Sequence, residues 1–300
     1  MIDAEDLKHM QPEKAFFIGL DSDGCVFDSM ELKHKECFCP AFINHYRLQG
    51  VCRYARETWE FVNLYSATRG VNRFKAVLEA LRLLAVRPEV QQQLGRLLPT
   101  DDLEAWIAEE SCLSNSVLQK YIEDHRDTLE ANSILHISLT WSHDVAEAVE
   151  KIVHDLPPIA EAVATLEVMH ANADCVVVSQ TPATDLIREW NEHGIDRFPR
   201  LIAGQEQGTK TEHLAMAAGT KYAPGHVLMV GDAPGDHQSA ADNDFLFFPI
   251  RPGSEAESWR ELRENGLAHF FNGTYAGEYQ HNLLEAFHKC LPEQPTWNRR

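Results

Sequence analysis

The sequence predicts an α/β protein with a doubly wound parallel sheet and an inserted helical domain. Three observations favour this class. Short apolar runs with polar or turn residues at both ends recur in the second half of the chain, and stretches with helical spacing separate them. A long gap after the first run holds helical patterns but no comparable strand. Strands that are covered on both faces read as continuous apolar runs, which is the pattern seen here.

Five runs are predicted to be strands: AFFIGL (15–20), DCVVVSQ (174–180), RLIAG (200–204), HVLMVGD (226–232) and FLFFPI (245–250). Helical patterns follow the second, third and fourth of them: ATDLIREWNEHGI, TKTEHLAMAAGTKY and GDHQSAADND. This alternation is typical of strands that run parallel. In such sheets a ligand binds in the crevice outside the carboxyl ends of the strands.

The gap between the first two strands is too long for a single crossover helix. It contains patterns such as RFKAVLEALRLLAV and DLEAWIAEE, and DLPP (155–158) marks the return to the core. We therefore predict a core domain made of residues 1–28 and 157–300, with a helical cap domain at 29–156. The residues after 251 are expected to be mostly helical.

Composition limits the classes of protein. Apolar residues make up 44% of the chain, enough for a full core, but no run is long enough to span a bilayer. The acidic start MIDAEDLKHMQPEK does not suit a signal peptide, and seven scattered cysteines suit reduced thiols, so a soluble, cytoplasmic protein is expected. Cys37 and Cys39 have no second Cys/His pair at zinc-site spacing.

The formal net charge of −19 disfavours nucleic acids and anionic membranes as partners. It does not exclude an anionic small molecule. Binding one would require a local positive site or a bound cation.

Distinctive polar residues follow the predicted strands: Asp21 and Asp23 after the first, Ser179 after the second, Lys210 after the third, and Asp232 and Asp236 after the fourth. If the strands are parallel, these side chains converge on one crevice. Four carboxylates there would repel each other unless a cation offsets them, and carboxylate oxygens suit Mg²⁺. A serine hydroxyl and a lysine are the donors expected around a phosphoryl group.

Taken alone, Asp21 and Asp23 fit a polar turn as well as a site. A calcium EF-hand loop needs carboxylates at positions 1, 3 and 5 and glycine at 6, whereas here glycine is fourth and Cys25 is fifth. GQEQGTKT lacks the spacing of the GxxxxGK[ST] phosphate loop. Asp28 suits a helix cap as well as it suits an active-site role.

Four segments together resemble haloacid dehalogenase-superfamily hydrolases. DSDGCVFDS resembles their DxDGxxxD motif, VVVSQT their second motif, Lys210 the third and VLMVGDAPGD the GDxxxD fourth. The resemblance covers roughly residues 14–28 and 157–250, and the order of the motifs matches. It implies a Rossmann-like core, with the helical insertion in the place of the first type of cap in this superfamily.

The resemblance implies roles for the core residues. Asp21 would be the nucleophile that forms an aspartyl-phosphate, and Asp23 would be the general acid and then the base for water. Mg²⁺ would be held by Asp21, the backbone carbonyl of Asp23 and Asp232, with Asp236 holding a metal-bound water or Lys210. Gly24 would allow a sharp turn beneath the ligand. Ser179 would contact the phosphoryl group.

One departure from the family's pattern and one further similarity to it concern phosphate binding. Gln180 stands where these hydrolases often have asparagine, although its backbone N–H could serve instead. In the cap, TRGVNRF (68–74) is similar to a cap loop of the phosphoglucomutase-like branch. Arg69 and Arg73 are therefore candidates for a second anionic group of the substrate, with solvated helix-face cations as the alternative.

Asp23 favours transfer from a phosphate ester, since dehalogenases of this superfamily lack the second acid. The expected function is a Mg²⁺-dependent phosphatase that acts on a small-molecule phosphate monoester. The alternatives are a phosphomutase and a catalytically silent protein that binds a phospho-ligand. The cap is expected to open and close over the crevice.

Overall fold

A five-stranded parallel sheet forms the centre of the core, with strand order β3-β2-β1-β4-β5. The computed structural model describes residues 3–95 and 97–298. The strands are β1 (Phe16–Leu20), β2 (Ala173–Val178), β3 (Leu201–Ala203), β4 (Val227–Gly231) and β5 (Leu246–Pro249). Each lies within one of the five predicted runs or starts one residue before it. The predicted fold class is confirmed.

Most of the other described residues lie in helices. Before β1 lies α1 (Ala4–His9). Between β1 and β2 lie α2 (Ser29–Leu32), α3 (Cys39–His45), α4 (Cys52–Leu64), α5 (Arg73–Ala85), α6 (Pro88–Leu94), α7 (Asp101–Glu109), α8 (Asn115–Asp124), α9 (Ile134–Ile152) and α10 (Ala162–Asn172). The later strands alternate with α11 (Ala183–Glu192), α12 (Lys210–Ala217) and α13 (Pro234–Ala241), and α14 (Glu255–Glu261), α15 (Leu267–Phe271) and α16 (Glu278–Cys290) follow β5.

Shorter turns of other types connect these helices. Lys33–Phe38 and Leu262–Gly266 are π-helical, and Gln49–Val51, Gln205–Gln207 and Thr296–Asn298 are 3₁₀ turns. Across the described residues, no helix is both long enough and apolar enough to cross a membrane.

Alternating side chains of the strands build two apolar layers. Phe17, Val176 and Met229 lie in one buried cluster, together with residues of α12 and α16. Ile18 and Val177 lie in the other, together with residues of α10, α14 and α15. Successive residues of a strand point to opposite faces, so both faces of the sheet are covered. Each fully buried aliphatic or aromatic side chain contributes about 1.5–3 kcal/mol.

The helical unit has its own aromatic core. Trp59, Trp106 and Trp141 are fully buried, and Phe42 and Phe74 pack among them. The rings of Trp59 and Trp141 meet edge to face at 5.8 Å, and those of Phe74 and Trp106 at 5.0 Å. Pairs with this geometry add about 0.5–1.5 kcal/mol beyond the burial of area.

The chain divides into two compact units. One is Met1–Met30 with Asp155–Pro292, and the other is Glu31–His154 with the segment that begins at Glu293. The predicted boundaries at 28/29 and 156/157 lie within two residues of the first two divisions. The core domain predicted from the sequence includes all residues after 157, whereas the corresponding compact unit ends at Pro292. The residues from Glu293 belong with the helical unit, because Trp297 packs on Arg87 and Phe61 there.

Candidate active site

The two central strands place the candidate carboxylates. β1 and β4 are neighbours, and Asp21 directly follows β1 while Asp232 directly follows β4. The N–H of Asp21 donates to the carbonyl of Val230 at 2.9 Å, which extends the ladder by one residue. Because the strands are parallel, both carboxylates emerge at the carboxyl edge of the sheet.

Asp236 completes a buried cluster of three carboxylates, the acidic cluster. One carboxylate oxygen from each of Asp21, Asp232 and Asp236 lies within 4.8 Å of the other two, and all three residues are buried. Asp236 Oδ2 accepts from the backbone N–H groups of Asp232 and Ala233, at 3.1 and 3.0 Å. This orients Asp236 from the first turn of α13. A Cβ at Gly231 would lie 2.4 Å from that same oxygen, so glycine is required there.

Lys210 pairs with two members of the acidic cluster. Its Nζ lies 2.8 Å from Asp21 Oδ1 and 2.6 Å from Asp236 Oδ1. Lys210 is the first residue of α12, and Thr209 and Glu212 form a capping box that fixes the start of this helix. The start of α12 therefore places the ammonium group of Lys210 at the carboxyl edge of β1 and β4.

Burial and like charge dominate the electrostatics of the acidic cluster. Burial, followed by the negative charge of Asp236, raises the pKa of Asp21 well above its usual range, and Lys210 opposes this. Burial alone would lower the pKa of Lys210, but the charges of Asp21 and Asp236 raise it above its usual range. One ammonium group does not offset three buried carboxylates. The cluster therefore has the charge and the donor type that suit a hard divalent cation.

The turn after β1 is narrow and well anchored. The carbonyl of Ser22 accepts from the N–H groups of Cys25, Val26 and Phe27, at 3.3, 2.9 and 3.1 Å. Gly24 has φ +75° and donates its N–H to Phe27 at 2.7 Å, a conformation that glycine adopts without strain. This turn reverses the chain directly after Asp23.

Asp23 does not join the acidic cluster through its carboxylate. Its Oδ1 accepts a short hydrogen bond from Ser29 Oγ, and its Oδ2 accepts from Thr181 Oγ1 at 2.6 Å. The sequence alone did not predict either hydroxyl residue as a partner of Asp23. Thr181 lies two residues after Ser179, in the loop after the neighbouring strand β2, so its nearness to Asp23 could be suspected from the sheet order alone.

Ser179 and Gln180 lie in the same loop. Ser179 is buried at the end of β2, and its Oγ accepts from the N–H of Thr181 at 3.2 Å. The side-chain amide of Gln180 donates to the carbonyl of Gly208 at 2.9 Å. This hydrogen bond joins the loop after β2 to the loop before α12. Because the side-chain amide of Gln180 is used in this way, its backbone N–H is the group that suits phosphate.

The cap arginines differ from each other. Arg69 is buried and donates to the carbonyl of Leu64 at 2.9 Å, which favours a role in holding the end of α4. Arg73 is half-buried, lies 5.2 Å from the centre of the Phe38 ring and donates to Ser142 Oγ at 3.1 Å. Burial lowers the pKa of Arg73. Of the two, Arg73 better suits an anion site.

Among known proteins, this chain shows similarity only to solved structures. No protein-family model matches the chain, and no curated protein sequence matches it. A protein from Lactobacillus delbrueckii subsp. bulgaricus, provisionally described as a phosphoglycolate phosphatase, has 14% identity and a TM-score of 0.47, with 91% of this chain and 98% of that one covered. A haloacid dehalogenase-like family hydrolase from Streptococcus pneumoniae has 13% identity and a TM-score of 0.42, covering 85% and 98%.

A third similar structure comes from Bacteroides vulgatus and is provisionally described as a beta-phosphoglucomutase. It has 11% identity and a TM-score of 0.41, with 88% of this chain and 91% of that chain covered. At such identities these names describe the other proteins only.

Proposed function

We propose that this protein is a Mg²⁺-dependent phosphatase that hydrolyses a small-molecule phosphate monoester through an aspartyl-phosphate on Asp21. The observation that carries the proposal is the acidic cluster, with Lys210 bridging Asp21 and Asp236 at the carboxyl edge of the central strands. Buried like charges at such an edge are costly and suit a site that binds a cation and an anionic group.

Asp21 is suited to attack phosphorus because its backbone is fixed by the sheet. Its N–H is bonded to Val230, and its Oδ1 accepts from the N–H of Ser22 at 2.8 Å. In the proposed first step a carboxylate oxygen of Asp21 forms a bond to phosphorus while the bond from phosphorus to the ester oxygen breaks. Water then attacks the aspartyl-phosphate, which releases inorganic phosphate and restores Asp21.

Asp23 is suited to move the protons. It would protonate the leaving ester oxygen in the first step and take a proton from water in the second. The hydroxyl groups of Ser29 and Thr181 hold its carboxylate in one orientation. Asp21 and Asp23 therefore have separate environments, one among carboxylates and the other between hydroxyls.

Lys210 and Ser179 are the proposed contacts for phosphoryl oxygens. Mg²⁺ would be held by Asp21, the backbone carbonyl of Asp23 and Asp232, with Asp236 in support. If the acidic cluster and Lys210 are all ionised, three negative charges and one positive charge leave a net −2 (−3 + 1 = −2), which a divalent cation would offset. A bound Mg²⁺ supplies positive charge to the carboxylates and to the transferring group.

Turnover of p-nitrophenyl phosphate tests the proposal. We expect hydrolysis with millimolar Mg²⁺ and its loss in excess chelator, with recovery when Mg²⁺ is returned. Activity that is unchanged in chelator would contradict the Mg²⁺ requirement. A screen of phosphate esters follows: net isomerisation of a sugar phosphate would favour a phosphomutase, and binding without turnover on every ester would favour a silent phospho-ligand protein.

Arg73 is proposed to bind a second anionic group of the substrate. Its guanidinium is half-buried on an aromatic ring, a setting in which an anion is held more strongly than at the surface. We expect Arg73→Gln to raise KM by about tenfold for esters with a second anionic group, with kcat nearly unchanged, and to leave p-nitrophenyl phosphate unaffected. Arg82→Gln, an exposed arginine on the same helix, is the control. An equal effect on both kinds of ester would contradict this role.

The remaining expectations concern the partners of the protein and its cellular location. A small phosphate ester is the proposed partner, with no nucleic acid and no membrane, as the charge of −19 favours. A cytoplasmic location stays a prediction.

A further inference from the structure

The turn that follows Asp21 accepts hydrogen bonds from two buried tryptophans. Trp190 Nε1 donates to Ser22 Oγ at 3.0 Å, and Trp259 Nε1 donates to the carbonyl of Cys25 at 2.8 Å. Both tryptophans are fully buried. Of the six tryptophans in the sequence, these are the two that lie in the core unit. Both indole N–H groups of the core unit are therefore used on this one turn.

Ser22 connects the first of these hydrogen bonds to the candidate catalytic carboxylates. It lies between Asp21 and Asp23 in the chain, and it is fully buried. Its N–H donates to Asp21 Oδ1 at 2.8 Å, and its carbonyl accepts three N–H groups of the turn. Because the side chain and both backbone groups of Ser22 are bonded, a shift of its side chain would move the backbone on which both carboxylates depend.

Helix α11 holds this turn from both of its ends. Thr181, whose hydroxyl donates to Asp23 Oδ2, lies just before the helix, and Trp190 lies near its C-terminal end. The ring of Trp190 also meets the ring of Phe27 edge to face, with the centres 6.1 Å apart. The helix thus contacts the turn near its start, through Ser22, and at its end, through Phe27.

Helix α14 holds the middle of the turn through Trp259. The acceptor, the carbonyl of Cys25, directly follows Gly24, which has φ +75°. The backbone of Trp259 is held in turn, because Thr165 Oγ1 in α10 donates to its carbonyl at 3.2 Å. The reversal of the chain at Gly24 is therefore bonded to a helix that is itself bonded to another helix.

Packing alone could also account for each tryptophan, since a buried indole N–H needs an acceptor wherever it lies. The two accounts differ in what they predict for Ser22. If Trp190 only fills space, the loss of its N–H and the loss of the Ser22 hydroxyl impair the protein independently. If the hydrogen bond positions the turn, each loss has the same effect, and the second adds little after the first.

We infer that Trp190 and Trp259 are positioning residues, whose indole N–H groups hold the turn so that Asp21 and Asp23 keep the geometry needed for phosphoryl transfer. The inference rests on the proposed phosphatase function. Both indoles act through the turn and not on the substrate. A displacement of about 1 Å at the reacting groups can lower a rate by about 10²-fold, so anchoring of this kind has a large effect on turnover.

A double-mutant cycle between Trp190 and Ser22 tests the inference in the full-length protein. Trp190→Phe removes the N–H and keeps an aromatic ring, and Ser22→Ala removes the acceptor. Each should lower kcat for p-nitrophenyl phosphate in saturating Mg²⁺ by about 10- to 100-fold, with KM changed by less than about twofold. The double variant should be no slower than the slower single variant. Trp259→Phe should lower kcat in the same way.

Trp106→Phe is the matched control. Trp106 is fully buried in the helical unit, and its Nε1 has no hydrogen-bond partner among the described residues. The substitution therefore removes the same atoms from a buried site without removing a described hydrogen bond, and kcat should stay at the wild-type value. The melting temperature of every variant, measured alongside, shows that the assays are run on folded protein.

Hydrogen exchange followed by mass spectrometry gives a readout that does not require turnover. The amides that report are those of Cys25, Val26 and Phe27, which donate to the carbonyl of Ser22. In Trp190→Phe they should exchange roughly five to thirty times faster, whereas in Trp106→Phe they should exchange as in the wild type.

Three results would overturn the positioning role. The first is unchanged kcat in both Trp190→Phe and Trp259→Phe. The second is a double variant whose loss equals the product of the two single losses. The third is faster exchange throughout β1 and β4 together with the turn, which would show that the indoles only stabilise the fold. Wild-type protein that hydrolyses no phosphate ester would refute the proposed phosphatase instead, and the turn amides would still show whether the indoles hold the turn.

Discussion

Asp21→Asn is expected to lower kcat/KM for p-nitrophenyl phosphate by at least about 10⁴-fold, because an amide cannot form the aspartyl-phosphate. The substitution is nearly isosteric, and Asp21 is buried at the end of β1, so the fold should persist. Steady-state turnover in saturating Mg²⁺ measures the loss. Asp242→Asn, which removes an exposed carboxylate just after α13, is the matched control and should retain full activity.

The same variant should be more stable than the wild type in chelator. Burial and the charge of Asp236 raise the pKa of Asp21, so its ionised form destabilises the folded, metal-free protein at neutral pH. Removing that charge also removes one partner of Lys210, which keeps Asp236. We expect a melting temperature about 2–4 °C higher, the shift that corresponds to roughly 1 kcal/mol.

Magnesium should reverse the order of stability. A ligand that binds only the folded state stabilises it by about 2.7 kcal/mol at one hundred times its Kd. The wild-type protein should gain this stabilisation in Mg²⁺, whereas the Asp21→Asn variant should gain much less. A variant that keeps Mg²⁺-dependent turnover would contradict the role of Asp21 as nucleophile. If Mg²⁺ stabilised the variant as much as the wild type, the role of Asp21 as a Mg²⁺ ligand would be contradicted.

The sheet and its edge could be predicted because both depend on short-range patterns. Buried parallel strands are continuous apolar runs, and a polar residue directly after each run must lie at the carboxyl edge. Asp21 and Asp232 were placed by this rule alone. Lys210 was placed by the start of the helix that follows β3, where a capping box fixes the backbone.

The contacts that could not be predicted depend on side-chain rotamers and on distant packing. The orientation of Asp23 toward Ser29 and Thr181 follows from the shape of the turn, which the sequence does not show. Arg69 is turned inward to the carbonyl of Leu64, which a pattern of charges cannot reveal. Trp297 joins the helical unit across a separation of 210 residues from Arg87 (297 − 87 = 210), and no local signal marks such a contact.

One missed element did have a local signal. Helix α1 begins after Asp3, whose side chain accepts hydrogen bonds from the N–H groups of Glu5 and Asp6. In turn, the side chain of Asp6 accepts a hydrogen bond from the N–H of Asp3. This is the capping-box pattern with aspartate at both positions. The pattern of apolar runs does not include this short helix, which buries Leu7, so only the capping box could have predicted it.

Asp23→Asn is expected to slow turnover, and the loss should be larger for esters whose leaving group is more basic. For an alkyl phosphate the departing alkoxide is a strong base, so loss of the general acid should lower kcat/KM by about 10²–10⁴-fold. For 2,4-dinitrophenyl phosphate the departing phenolate is stable without a proton, and the loss should be small. The rate constants for a series of aryl and alkyl esters, plotted against leaving-group pKa, measure the difference in slope.

The hydroxyl partners of Asp23 provide the matched variants for this measurement. Thr181→Val removes the 2.6 Å hydrogen bond to Asp23 Oδ2 while keeping the shape of the side chain. It should act in the same direction as Asp23→Asn but more weakly, by about tenfold for the alkyl ester, because a positioning contact is lost and the acid itself remains. An equal loss for all leaving groups in Asp23→Asn would show that Asp23 supports the fold or the binding of substrate and does not donate the proton.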